Sequence, residues 1–329
     1  MGAIALAACS SGSTSSGGTA GDATETVTWG ADSVTMIDAI AFTGMGIGAF
    51  QKYHLNAEFV NGTTAPTTLE TGGADIVRTD FSTGPLLTKE GKGVKIFATV
   101  AVNTPVGLLG TNSVKSIADL KAMGSNCILA SFTNGDFYTY PNYWSRKFGL
   151  HCKIDQVSDY GLAISGVAAG RYTAAPELAS NAGSAIAAKQ AHWLISPGSD
   201  RLPFDVISSV YMTTSSYLSS HKSEVQNFVK ALEYTETKMK TMSNQQIAAA
   251  IKKSGATIWT SESASDIVEQ LTGDGQASNV FSLDKVNIGP LSQTLYNANL
   301  HAQPEENIPV DPGSSEFSYA ALVNNSFVG

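Results

Sequence analysis

Three carboxylates, Asp80, Asp136 and Glu177, stand just beyond short apolar runs, with Phe81, Ser82, Phe132, Thr133 and Asn134 beside them. Residues of these types hold a small polar guest rather than react with one: charge and rings supply affinity, hydroxyls and amides supply orientation. Each also has a plainer role. Ser82 or Thr83 can cap a helix, Asn134-Gly135 is a turn pair, Phe81 and Phe132 can be core, and lone carboxylates are usually solvated. Arg78 could grip a carboxylate or sulfonate with two parallel hydrogen bonds, or lie along the surface on its stem. Signatures of catalysis are missing. The sequence has no H-E-x-x-H, no G-x-S-x-G and no phosphate loop. His54, His151, His192, His221 and His301 never fall at metal-ligand spacing. No cofactor and no metal are expected.

The elements that must position these residues follow from patterning. Thr26–Gly30, Ala57–Val60, Gly73–Val77 and Lys95–Val102 read as strands, separated by helical patterns at Ile37–His54, Thr67–Thr71 and around Pro85. A second series starts after Asn103–Gly107. Strands open at Cys127 and Cys152 and cover Tyr172–Ala175, and helices cover Ser116–Met123, the stretch up to Phe148, Tyr160–Gly170 and Ser180–His192. A strand at Phe204–Tyr211 precedes a largely helical remainder, and the chain from Ala302 reads as irregular. Strand–helix alternation predicts an α/β fold of mostly parallel sheets flanked by helices. In such sheets the crevice lies beyond the carboxyl ends of the strands, where helix N-termini present free N–H groups. Four loops qualify: Asp32–Thr35, Thr79–Thr83, Phe132–Phe137 and Pro176–Ser180. Gly44-Met45-Gly46-Ile47-Gly48 lies within a helical stretch, so it reads as close packing rather than a dinucleotide loop.

Bulk properties narrow the class. The 329 residues suit two lobes, and 43 % hydrophobic against 15 % charged residues can build cores. A net charge of −8 with scattered Lys and Arg argues against nucleic acid. No apolar run reaches the length of a membrane span. Leu6-Ala7-Ala8-Cys9, followed by a Ser/Gly/Thr tether, resembles the lipobox of bacterial lipoproteins. That implies lipidation at Cys9 and a membrane contact through the anchor. The apolar stretch before Cys9 is short and lacks a preceding basic residue, which implies a truncated or misplaced start. Cys127 and Cys152 are then left as a pair. In an exported chain they can bridge, because each opens one of two strands that would lie side by side. Two buried thiols are the alternative.

Five segments in order carry a wider resemblance: Phe50–Glu58, Leu69–Ile76, Ser116–Lys121, Val167–Ala174 and Lys222–Glu236. They resemble the periplasmic binding proteins for taurine, aliphatic sulfonates, nitrate and thiamine-precursor pyrimidines. Asn126, Cys127 and Thr173 depart from that pattern. The resemblance implies a type II two-lobed clamp. Residues 1–26 would be signal remnant and tether, 27–104 with 212–329 one lobe, and 105–211 the other, with hinges near 102–108 and 208–213. It also implies an extracytoplasmic, monomeric, non-enzymatic protein that hands its ligand to an ABC permease. The expected ligand is a small organic anion or zwitterion, such as a sulfonate, taurine-like compound or carboxylate. A thiamine-precursor pyrimidine or aromatic acid is the alternative. An enzyme on the same fold and a ligand-sensing partner of a membrane receptor are rival functions.

Overall fold

Burial runs almost unbroken along the central strands because both faces of each sheet are covered. In the strand Val94–Val102, Ile96 enters one core while Phe97 and Ala98 enter another. In Ile128–Ser131, Leu129 and Ala130 likewise face opposite cores. The computed structural model describes residues 24–32, 34–60, 65–133, 135–272, 286–305 and 307–328. Cys9 and the tether, expected to carry lipid, lie outside the described residues.

The first run is β1 (Glu25–Ala31), α1 (Ala39–Ile47), α2 (Ala49–Lys52), β2 (Leu55–Phe59), α3 (Ala65–Glu70), β3 (Ile76–Thr79), α4 (Thr83–Lys89) and β4 (Val94–Val102). The second is β5 (Val106–Thr111), α5 (Ile117–Ala122), β6 (Ile128–Ser131), α6 (Asp136–Phe148), β7 (Lys153–Gln156), α7 (Tyr160–Ala168), β8 (Ala174–Leu178), α8 (Ala179–Ala187) and β9 (Ala191–Ile195). The chain returns as β10 (Ile207–Thr214), then α9 (Ser215–Ser220), α10 (Lys222–Met239), α11 (Asn244–Lys253), α12 (Ala264–Thr272), β11 (Val286–Gly289), α13 (Gln293–Ala302) and α14 (Tyr319–Leu322). The strand orders are β11-β4-β10-β3-β1-β2 and β7-β6-β8-β5-β9.

Strands β1 to β4 share one direction, as do β6 to β9. The reversed strands include β5 and β10, the two that have just crossed between sheets. A chain leaving at the carboxyl end of β4 must enter the second sheet from that same edge and run away from it. The carboxyl ends therefore gather at the facing edges. The crossings are tied together. The Asn103 side chain donates to Asp205 Oδ1 at 2.6 Å and accepts from the Val206 N–H at 2.8 Å, and Thr104 N–H donates to Ser208 Oγ at 2.9 Å. Asn103 has a φ of 56°, a conformation its short amide tolerates.

Several sequence expectations change. β10 pairs with β4 from Ile207 and with β3 from Val210, so the strand expected at Phe204–Tyr211 starts at Ile207 and lies in the first sheet. Val106–Thr111 forms a strand that its glycines had masked. A Cβ at Gly110 would lie 2.5 Å from Leu194 Cγ, so packing needs the residue that hides the pattern. The helix expected to reach His192 ends at Ala187, where Lys189 turns with a φ of 56° into β9. The described part of the stretch after Ala302 is largely irregular, as expected, and it is packed: Ile308, Val310, Phe317 and Leu322 are buried, and Val323 bridges Ile96.

Cys127 and Cys152 form a disulfide where β6 and β7 run parallel, as the strand reading expected. With the cysteines at a sequence separation of 25, loop closure stabilises the fold by about 3 kcal/mol. Close packing also explains Gly46. A Cβ there would sit 1.9 Å from the Ala250 carbonyl oxygen, where α1 crosses α11. Gly46→Ala is expected to destabilise the protein by about 1–2 kcal/mol, read as a lower urea midpoint at unchanged slope.

Candidate functional site

Loops at the carboxyl ends of β1, β3, β6, β7 and β8 meet the two crossings around a cavity of about 120 Å³. Asp32, Thr35 and Ile37 follow β1, while Arg78 and Asp80 close β3. Asp136 and Phe137 open α6, Tyr160 opens α7 and Leu178 ends β8. Thr104 comes from the first crossing, and Ser208 from the start of β10, just beyond the second. The wall is therefore drawn from both sheets. The lobes also touch elsewhere. Asn307 Nδ2 donates to the Thr133 carbonyl at 3.0 Å, and α12 packs against α8.

Local hydrogen bonds fix several of the polar groups in and behind the wall. Thr79 Oγ1 bonds both Asp32 Oδ2 and Thr83 Oγ1, the latter at 2.8 Å. Asp80 Oδ1 accepts the Ser82 N–H at 2.8 Å, so Asp80 performs the capping expected of Ser82, whose side chain makes no cap bond. Burial pushes the Asp80 carboxyl above its usual pKa; the Ser82 hydrogen bonds oppose this and the Asp32 charge adds to it. Phe132, Phe137 and Tyr160 form a ring trio with centroids 4.9–5.4 Å apart. Burial and the neighbouring Glu177 charge raise the Tyr160 phenol.

Arg78 does not wait for an anion. Its Nε donates to Asp38 Oδ1 at 2.8 Å and its Nη2 to Asp38 Oδ2 at 2.7 Å, with 6 % and 0 % of the two residues exposed. Burial alone would lower its pKa; the Asp38 charge and hydrogen bonds outweigh that and raise it. Asp38 also accepts the Thr35 N–H at 3.0 Å, which fixes the loop after β1.

Of the residues nominated from sequence, Asp80 and Asp136 line the cavity. Phe81 and Ser82 are buried beside it, Phe81 in the core against Tyr296. Phe132 and Thr133 line a neighbouring groove in the second lobe. Asn134 lies outside the described residues. Glu177 is fully buried, adjoining Asn181 and the Leu178 N–H, and it is Leu178 that lines the cavity. Tyr160 was missed, although it follows a strand as the nominated loops do. Thr104 and Ser208 had no signal, because only the crossings bring them together.

Two facing α/β sheets, joined by paired crossings and walled around one cavity, make the two-lobed binding-protein clamp. The fold is that of periplasmic ABC-type binding proteins. It resembles the nitrate-binding protein NrtA from Synechocystis PCC 6803 (14 % identity, 93 % of this chain and 87 % of that one, TM-score 0.68). The alkanesulfonate-binding protein SsuA from Xanthomonas axonopodis pv. citri, bound to MOPS, is similar too (14 %, 91 % and 98 %, 0.66). So is the zinc-bound ligand-binding component of an ABC-type import system from Staphylococcus aureus (14 %, 92 % and 97 %, 0.67). No protein-family model matches the sequence, and no curated protein matches it significantly.

Proposed function

We propose that this chain is the substrate-binding component of an ABC importer, closing two lobes over a small organic molecule and presenting it to a membrane permease. The observation that carries the reading is a cavity lined from both sheets and from the segments where the chain crosses between them, because a ligand there touches the parts that must move. Closure is favoured only by contacts the ligand gains in the closed form. The hinges fall where the sheets exchange chain, at 102–106 and 195–207. Structural neighbours that bind nitrate, alkanesulfonate or zinc support a binding role over an enzymatic one. The disulfide supports an oxidising, extracytoplasmic location. Lipid at Cys9 would hold this monomer at the membrane. Of the ligand classes expected from sequence, the zwitterion suits the cavity better than the simple anion, since the lining guanidinium is already engaged by Asp38.

The test pairs a thermal-shift screen of sulfonates, carboxylates, amines and pyrimidines with distance labels on α8 and α12. A ligand in large excess should stabilise the protein by about 3–4 kcal/mol and draw the labels together. Labels that stay fixed for every stabilising compound would sink the clamp.

A further inference from the structure

The charges around the cavity are unequal. Asp32, Asp80 and Asp136 line it and Asp38 stands behind, while Arg78 is the only basic side chain among the described lining residues. Four carboxylates thus face one guanidinium, and that guanidinium is bound bidentately to one of them. An anion entering here gains little from Arg78 and meets like charge at close range. A cation meets the reverse. Two rings of the aromatic trio, Phe137 and Tyr160, complete the wall, and aromatic faces attract cations.

A second observation points to a guest. Thr104, a wall residue 7 % exposed, carries a buried hydroxyl with no hydrogen-bond partner among the described residues. Buried hydroxyls are normally satisfied, and an unsatisfied one costs about 1–3 kcal/mol. A polar ligand group in the cavity would satisfy it. The volume of about 120 Å³ limits the enclosed group to a few heavy atoms, since a dry cavity of about 150 Å³ holds benzene.

We propose that the cavity selects its ligand by an ammonium group, seated against Asp80 and Asp136 with Phe137 and Tyr160 beside it, so that the ligand is an amine or an amino-bearing zwitterion. This rests on the cavity being the ligand site of the clamp. The raised Asp80 pKa agrees with it: burial and, less strongly, Asp32 disfavour the carboxylate, the Ser82 hydrogen bonds and the Arg78 charge only partly offset them, and an incoming cation would tip the balance toward the charged form. Binding of the cation therefore releases protons, and affinity rises with pH through the range in which Asp80 ionises.

Three probes sharing a two-carbon skeleton separate the charge types: ethylamine, taurine and ethanesulfonate. Ethylamine and taurine should raise the melting temperature, and ethanesulfonate should not. In Asp80→Asn the amide oxygen can still accept the Ser82 N–H, and a disfavoured charge is gone. This variant should melt at or above the parent temperature yet bind the amines about 30-fold more weakly. Stabilisation by ethanesulfonate alone, no shift with either amine, or unchanged amine affinity in Asp80→Asn each overturns the proposal. If ethanesulfonate instead draws the α8 and α12 labels together, the ammonium proposal falls and the clamp stands. If no compound of any class moves those labels, the clamp itself falls.

Discussion

Asp38→Ala should lower the unfolding free energy by about 3–5 kcal/mol. The loss comes less from the pair's own strength than from what remains. Arg78 keeps its charge in a wall position 6 % exposed, with both bidentate hydrogen bonds gone. The Ser209 hydroxyl, 3.4 Å from Nη1, cannot replace a carboxylate. Asp38 also anchors Thr35, so the loop after β1 loosens and the cavity loses part of its first-lobe wall. Urea unfolding read at constant slope measures the effect. The double variant Asp38→Leu, Arg78→Met should recover most of the stability, because it removes both buried charges together. A single-variant loss below about 1 kcal/mol would mean that Arg78 rehydrates and that the pair does not organise the wall.

Glu177→Gln should have the opposite sign. Its carboxyl is wholly buried at the end of β8, and burial holds its pKa well above the ordinary 4.5. The Asn181 side chain and the Leu178 N–H pull that value down but do not offset burial, and the Asp159 charge raises it further. Above about pH 4.5 the unfolded chain surrenders this proton while the folded chain retains it. The folded state then binds more protons, so stability falls as pH rises toward the folded pKa. The stabilisation is complete below the unfolded value and lost through the folded one. Glutamine presents the same shape without the charge. The variant should be more stable at neutral pH by about 2–3 kcal/mol and show a flatter decline between mildly acidic and neutral conditions. Equal pH slopes for variant and parent would show that Glu177 is hydrated as its carboxylate. Since Leu178 rather than Glu177 faces the cavity, ligand affinity should change little.

Much of the scaffold was legible because it is local. Strand–helix alternation, the apolar runs at Lys95–Val102 and Phe204–Tyr211, and the cysteines opening two strands each reflect forces acting within a few residues. The rule that loops follow strand carboxyl ends found Asp80 and Asp136, and applied once more after β7 it reaches Tyr160. Strand β5 stayed hidden for an equally physical reason. Close sheet contacts demand Gly110, and glycine erases the pattern by which a strand is recognised.

The sequence by itself determined the class of fold and nominated two of the acidic wall residues, since periodicity and chain order carry that information; it left Cys127 and Cys152 open between a bridge and two thiols, which the meeting of β6 and β7 decided. Only the tertiary structure decided what Arg78 does. Asp38 lies 40 positions away in sequence, and nothing in either segment says that they meet. The same holds for Thr104 against Ser208 and for Glu177 turned inward behind Leu178. Which charges are cancelled and which are left facing the guest depends on distances between remote segments, and those distances exist only after both sheets have formed and the crossings have brought their edges together.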